Sequence, residues 1–192
     1  MRDTIGQPFA AILYAVTEAL RYTAVPLKGS EATMYRMNRD VRFSNDKPPY
    51  NAQVSGVLTH SGRKAETHGL SYVHLDARGA VAACGFYNLA PKALAPIRER
   101  IVDRPSAFSE AATQIQKAGF DLSRDDVLTA MPQGYAQHAD APFARDFKLK
   151  PLIVRINLTK AAWTSGRFVD DVARMTRACT GLLTFGATAS KA

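Results

Sequence analysis

The stretch "LSYVHLDARGAVAACGFY" runs from Leu70 to Tyr87, and its reading decides the fold. Two strand-like runs, Leu70 to Leu75 and Ala80 to Tyr87, are separated by Asp76-Ala77-Arg78-Gly79. Such spacing predicts a β-hairpin, with Gly79 supplying a positive φ at the turn. The two strands are then adjacent and antiparallel. Side chains alternate across a strand, so Tyr72, His74 and Asp76 share one face, and Ser71, Val73 and Leu75 the other.

Working outward, Val54 to Thr59 is a third strand-like run, joined to the hairpin through "SGRKAETHG". Downstream, Pro91 suits a first helical position, and Leu94, Ile97 and Ile101 form a helical stripe. Pro105 opens another helix, with Phe108, Ala112 and Ile115 inward and Gly119 as its stop. "LSRDDVLTAMPQGY" reads as a short helical turn and then a loop. Leu152, Val154, Ile156 and Leu158 alternate as a late strand, and Phe168, Val172, Met175 and Cys179 mark a final helix. Upstream, Ile5, Phe9, Ile12, Leu13, Val16 and Leu20 recur at helical spacing, and that helix ends before Pro26. The order helix, strands, helices, strand, helix predicts an α+β fold. We expect a largely antiparallel sheet of about 4–6 strands, with helices packed on one face.

The chain of 192 residues is long enough for one domain with a real core, and no repeat or linker divides it, so residues 1–192 are expected to form a single domain. No apolar run approaches the roughly 18–20 residues of a membrane span. The first 22 residues make a poor signal peptide, because Thr17 and Glu18 interrupt the apolar positions. A cytoplasmic protein without membrane partners is expected. Cys84 and Cys179 lie far apart with no CxxC, as expected of two buried thiols in a reducing compartment. His60, His68 and His74 lack any zinc-ligand spacing, so no metal is expected. "GLLTFGATASKA" lacks the P-loop lysine spacing and no GxGxxG follows a strand, so no nucleotide cofactor is expected either.

The net charge of +8 is unevenly placed. Residues 21–64 carry eight Lys/Arg against three Asp/Glu, residues 145–177 repeat that balance, and the middle is slightly acidic. Two basic segments suit an anionic partner: a small molecule bearing phosphate or carboxylate, or nucleic acid. The oligomeric state is left open.

The first basic segment contains "YRMNRDVRFSNDKPPYN", Tyr35 to Asn51. Read as a strand, it places Arg36, Asn38, Asp40 and Arg42 on one face. Tyr35, Met37, Val41 and Phe43 lie opposite with Arg39, which makes Tyr35 and Phe43 core residues. Asn45, Asp46 and Pro48-Pro49 then form a turn that projects Lys47. Arg36 and Arg42 are about 20 Å apart on an extended strand. Arg36 with Asn38, or Arg42 with Lys47, is therefore the better clamp for one anion. The structural alternative is an ion network, with Asp40 between Arg36 and Arg42 and Asp46 pinning the turn. Ser44 lacks a local base, and its hydroxyl reads as a turn cap.

The pattern Arg36-x-x-Arg39-Asp40-x-Arg42-Phe43-Ser44-x-Asp46-Lys47-x-Pro49-Tyr50 resembles the signature of an uncharacterised bacterial and fungal family, domain of unknown function 2461. The resemblance continues through "YVHLDARGAVAACGFY", "LAPKALAPIRERI", "MPQGY" and "LKPLIVRINL". It implies that the charged stretch is a defining feature of the family, but it implies no activity. On that resemblance the chain is expected to lack the asparagine-rich N-terminal extension usual in the family, and Gln133 stands where the later loop usually has arginine.

Three functions follow from these residues. The leading one is a binding module for a phosphate- or carboxylate-bearing ligand, held by Arg36, Asn38, Arg39, Asp40, Arg42, Asp46, Lys47 and Tyr50. The second is an enzyme using acid/base or phosphoester chemistry in the same pocket, with His74 or Asp40 moving a proton. The third is a nucleic-acid binder using both basic segments.

Overall fold

Alternating side chains in the hairpin segment sort themselves between a helix-covered face and a cleft face, and the sheet grows from that division. The computed structural model describes residues 5–36, 53–65, 69–87 and 89–189. Strands β1 (Gln53–Leu58), β2 (Leu70–Asp76), β3 (Gly79–Phe86) and β4 (Leu152–Thr159) lie in chain order in one antiparallel sheet. The expected α+β class and antiparallel sheet are thus observed. Short bridges extend both edges: Lys28 and Met34 pair with Thr59 and Gly56, and Leu122 pairs with Val154. The last contact corrects the expected helical turn at the start of 122–135, where the chain instead lies against β4.

The hairpin forms where expected, but for a different reason at Gly79. Its φ lies outside the left-handed region. A Cβ there would overlap the Leu158 carbonyl oxygen of β4, so glycine is needed for close approach. The turn itself is held by Asp76, whose Oδ1 accepts from the Arg78 and Gly79 amides at 2.7 and 3.0 Å. These two bonds hold the Asp76 carboxyl below its ordinary range.

Helix α1 (Gln7–Leu20) buries Phe9, Leu13, Val16 and Leu20 of the expected stripe, whereas Ile12 is half-buried and Ile5, ahead of the helix, is exposed. The helix crosses β1 at Gly56, where a Cβ would lie 2.8 Å from Leu13 Cδ1. Helices α2 (Pro91–Asp103) and α3 (Pro105–Lys117) bury Leu94, Ile97, Ile101, Phe108 and Ile115 as expected, with Ala111 rather than Ala112 completing the α3 stripe. A short turn of helix, α4 (Ala144–Phe147), precedes β4, and α5 (Lys160–Thr164) follows it.

The expected final helix is two: α6 (Phe168–Ala178) and α7 (Thr180–Ala189). Helix α6 buries Phe168, Val172 and Met175, and its Thr176 hydroxyl meets the Ser71 hydroxyl of β2 at 3.0 Å. Helix α7 contributes Leu182, Leu183 and Phe185, and its Gly186 lies against the Phe86 ring so closely that a Cβ would overlap it. α1, α6 and α7 therefore cover one face of the sheet, and one continuous buried cluster joins them to Val73, Ala82, Cys84 and Val154. Each large apolar side chain so buried contributes about 1.5–3 kcal/mol before conformational entropy is counted. Cys84 and Cys179 are both buried and both reduced. Among the described residues, no helix is long and apolar enough to cross a membrane.

Candidate functional site

The opposite face of the sheet carries the site. There, β3 presents Val81, Ala83 and Gly85, small side chains that leave a trough along the middle of the sheet. Register fixes what stands beside it. Ser55, His74 and Val81 form one row across β1, β2 and β3, and Val57, Tyr72, Ala83 and Arg155 form the next row across all four strands. Tyr72 and Arg155 therefore flank Ala83 as opposite walls. The result is a cleft of about 1140 Å³, slightly above the roughly 300–1,000 Å³ usual for small-molecule sites. Leu89, Pro91 and Leu94 close one end with apolar surface, and Tyr35 and Lys64 lie at the β1 edge.

Its polar groups fall into three sets. The first is an aromatic cluster. The Tyr72 hydroxyl and His74 Nδ1 are 3.2 Å apart, with the two rings edge to face at 5.6 Å. The Tyr35 ring lies 6.4 Å from that of Tyr72. Burial pushes the Tyr72 phenol above its ordinary pKa and outweighs the hydrogen bonding of Ser55 and Gln53. Burial also pushes His74 below its ordinary value, with Arg155 adding to the effect and Asp76 opposing it. At neutral pH the pair is a protonated phenol beside a neutral imidazole, sharing one hydrogen bond.

The second set consists of paired ions. Arg155 bonds Asp125 at 3.3 Å, and Lys150 bonds Asp126 at 2.8 Å. These pairs are largely exposed and nearly cancel as charge. The third set is cationic without carboxylate partners among the described residues. Lys64 Nζ donates to the Met34 carbonyl at 2.8 Å. Arg98 of α2 is half-buried, with its guanidinium carbon 5.8 Å from the Phe147 ring centroid, and burial lowers its pKa.

The sequence-derived candidates divide accordingly. His74 is in the cleft, paired with Tyr72. Asp76 shares its strand face, but its carboxylate is occupied by the turn amides. Arg36 is exposed and makes further interactions, and it follows Tyr35, whose amide donates to Ser55 O at 2.8 Å. Asn38, Arg39, Asp40, Arg42, Asp46, Lys47 and Tyr50 lie outside the described residues, as do Phe43, Ser44 and His68. Tyr35, expected in the core, is 43 % exposed and lines the cleft. The reason is its place on the sheet: beside Ser55 it shares the cleft face.

Sequence reading missed Arg98, Tyr87, Lys64 and Arg155. For Arg98 the one usable signal was its position a single residue after Ile97, turned off the buried stripe of α2. The second basic segment does not gather in one place. Lys150 and Arg155 reach the cleft, whereas Arg174 and Arg177 donate to the carbonyls of Ala118 and Ala19 and brace the helices. Arg124, Arg145 and Lys148 line a smaller depression of about 490 Å³, where Arg124 pairs with Asp146. Among the described residues, no three His, Cys, Asp or Glu side chains gather to hold a metal ion.

A family model described as conserved hypothetical protein (DUF2461) matches residues 2–185. No curated protein and no solved structure matches the chain.

Proposed function

The chain belongs to the DUF2461 family of conserved hypothetical proteins, a description that names no activity, and we propose from the cleft that it binds a small organic anion bearing phosphate or carboxylate. Arg98 carries this reading. A guanidinium that loses water without gaining a carboxylate costs free energy, and a bound anion with two oxygens would offset that cost through bidentate hydrogen bonds. Lys64 adds a second positive charge, while Asp125 and Asp126 neutralise the other two cations on the wall. The concave shape and the apolar end at Leu89, Pro91 and Leu94 support a small ligand over an extended polyanion. The proposal includes Arg39, Arg42 and Lys47 as further sources of positive field. Its support is that Tyr35 and Gln53, which bracket their segment, both line the cleft.

A second reading, an enzyme, is favoured by the Tyr72–His74 pair. A neutral imidazole and a protonated phenol in contact are a base and an acid in the same cleft. In that reading, Arg98 stabilises negative charge that develops on the substrate.

Thermal shift tests the proposal across inorganic phosphate, sugar phosphates, nucleoside monophosphates, organic acids and nucleic acids, at low and moderate salt. A true ligand at about a hundred times its Kd raises Tm by about 5–10 °C. The shift should survive moderate salt, and Arg98→Gln should weaken binding about 10–100-fold. A response to polyanions alone that vanishes with salt, or an Arg98→Gln protein that binds as well as wild type, would refute it.

A further inference from the structure

We infer that the anion taken by this cleft carries an aromatic ring, as an aryl or heteroaryl phosphate or carboxylate, and that the ring sits in the trough over Ala83 between Tyr72 and Arg155. This inference rests on the anion reading above and names its ligand class.

Register defines the slot. Tyr72 and Arg155 are each one strand from Ala83, so their backbones stand about 10 Å apart. A flat ring between two flat walls needs about 7–8 Å, one carbon contact distance on each side. The floor is a methyl group, which leaves room for that ring. One wall is the face or edge of a phenol. The other is a guanidinium held by Asp125, and guanidinium planes stack on aromatic faces.

The surroundings match. Tyr35 and Tyr87 are 43 % and 66 % exposed, two of six exposed large apolar side chains among the described residues, and both line this cleft. Tyr35, Tyr72 and His74 already make tilted or edge-to-face contacts, so an added ring would extend an existing aromatic cluster. The neutral side chains that floor the trough offer no charge to a ligand, and Arg98 and Lys64 stand at its margins. An anion at one end and a flat apolar body over Ala83 satisfy both parts.

Calorimetric titration of the full chain with phenyl phosphate, inorganic phosphate, glucose 6-phosphate, benzoate and acetate tests this inference. Phenyl phosphate should bind at least about tenfold tighter than inorganic phosphate, because aromatic contact and burial both favour it. Tyr72→Leu should abolish that preference. Ala83→Leu should do the same by filling the floor, and it serves if Tyr72→Leu fails to fold. Equal affinity for phenyl and inorganic phosphate overturns the ring inference and leaves the anion reading standing. So does tighter binding of the sugar phosphate. Absence of binding by all five probes removes the anion reading, and this inference with it.

Discussion

At the scale of single residues, His74 links the cleft to pH. In the unfolded chain its imidazole titrates near 6.5, and in the folded protein burial holds its pKa lower. Between those two values the unfolded chain binds more protons, so stability falls as pH falls. The contribution is complete above about pH 6.5 and is lost as pH drops through the folded value. Melting temperature should therefore decline from pH 7 to pH 5, and His74→Gln should flatten part of that decline at matched ionic strength. A variant with the wild-type slope would remove His74 from the account. Asp76 acts in a separate window. Its folded pKa lies below 3.8, so its contribution is present above that value and disappears only in stronger acid. His74 was legible in the sequence as a cleft-face residue because strand alternation is local. Its partner was not. Proximity on the strand suggested both Tyr72 and Asp76, and the turn amides decided between them.

At the scale of elements, β3 shows what a glycine does inside a strand. Gly85 has φ +135°, and a Cβ there would overlap the Leu152 carbonyl oxygen of β4. Gly85→Ala combines backbone strain with steric overlap and should cost about 2–4 kcal/mol. Gly119 has φ +82° with nothing within 4 Å of the added Cβ, so Gly119→Ala should cost only about 1–2 kcal/mol. Urea denaturation of the two variants measures the difference, and equal losses would show that the overlap is relieved by strand movement. The same logic explains which elements could be read. Helix α1 and the hairpin strands follow periodicity and were found within a residue or two. Helix α7 was missed because Gly181, Gly186 and three threonines within Thr180–Ala189 are poor helix formers. Packing on Phe86 demands that glycine, which sequence preference alone counts against the helix.

At the scale of the whole molecule, the two cysteines report on global opening. Cys179 comes from the helix layer and Cys84 from the sheet, and the Cys179 thiol points at the Cys84 carbonyl at 3.9 Å. Contact with Cys179, and then burial, raises the Cys84 thiol well above its ordinary pKa. Neither thiol should react with an aromatic disulfide reagent in the native protein. Labelling should be at least about a thousandfold slower than in urea, following global unfolding. Fast native labelling of one thiol would mean that α6 separates from the sheet on its own. The α+β class, the strand limits, the hairpin and most positions of the α1 to α3 stripes were determined by the sequence alone, because periods of two and of about 3.6 residues are set by backbone geometry within a single element. The cleft was decided only by tertiary structure. Tyr35, Tyr72, Arg98 and Arg155 are spread over 120 positions, and what joins them is strand register and the placement of α2 beside the cleft. Register depends on the pairing of whole strands, so no local pattern in the chain could have placed those side chains around one trough.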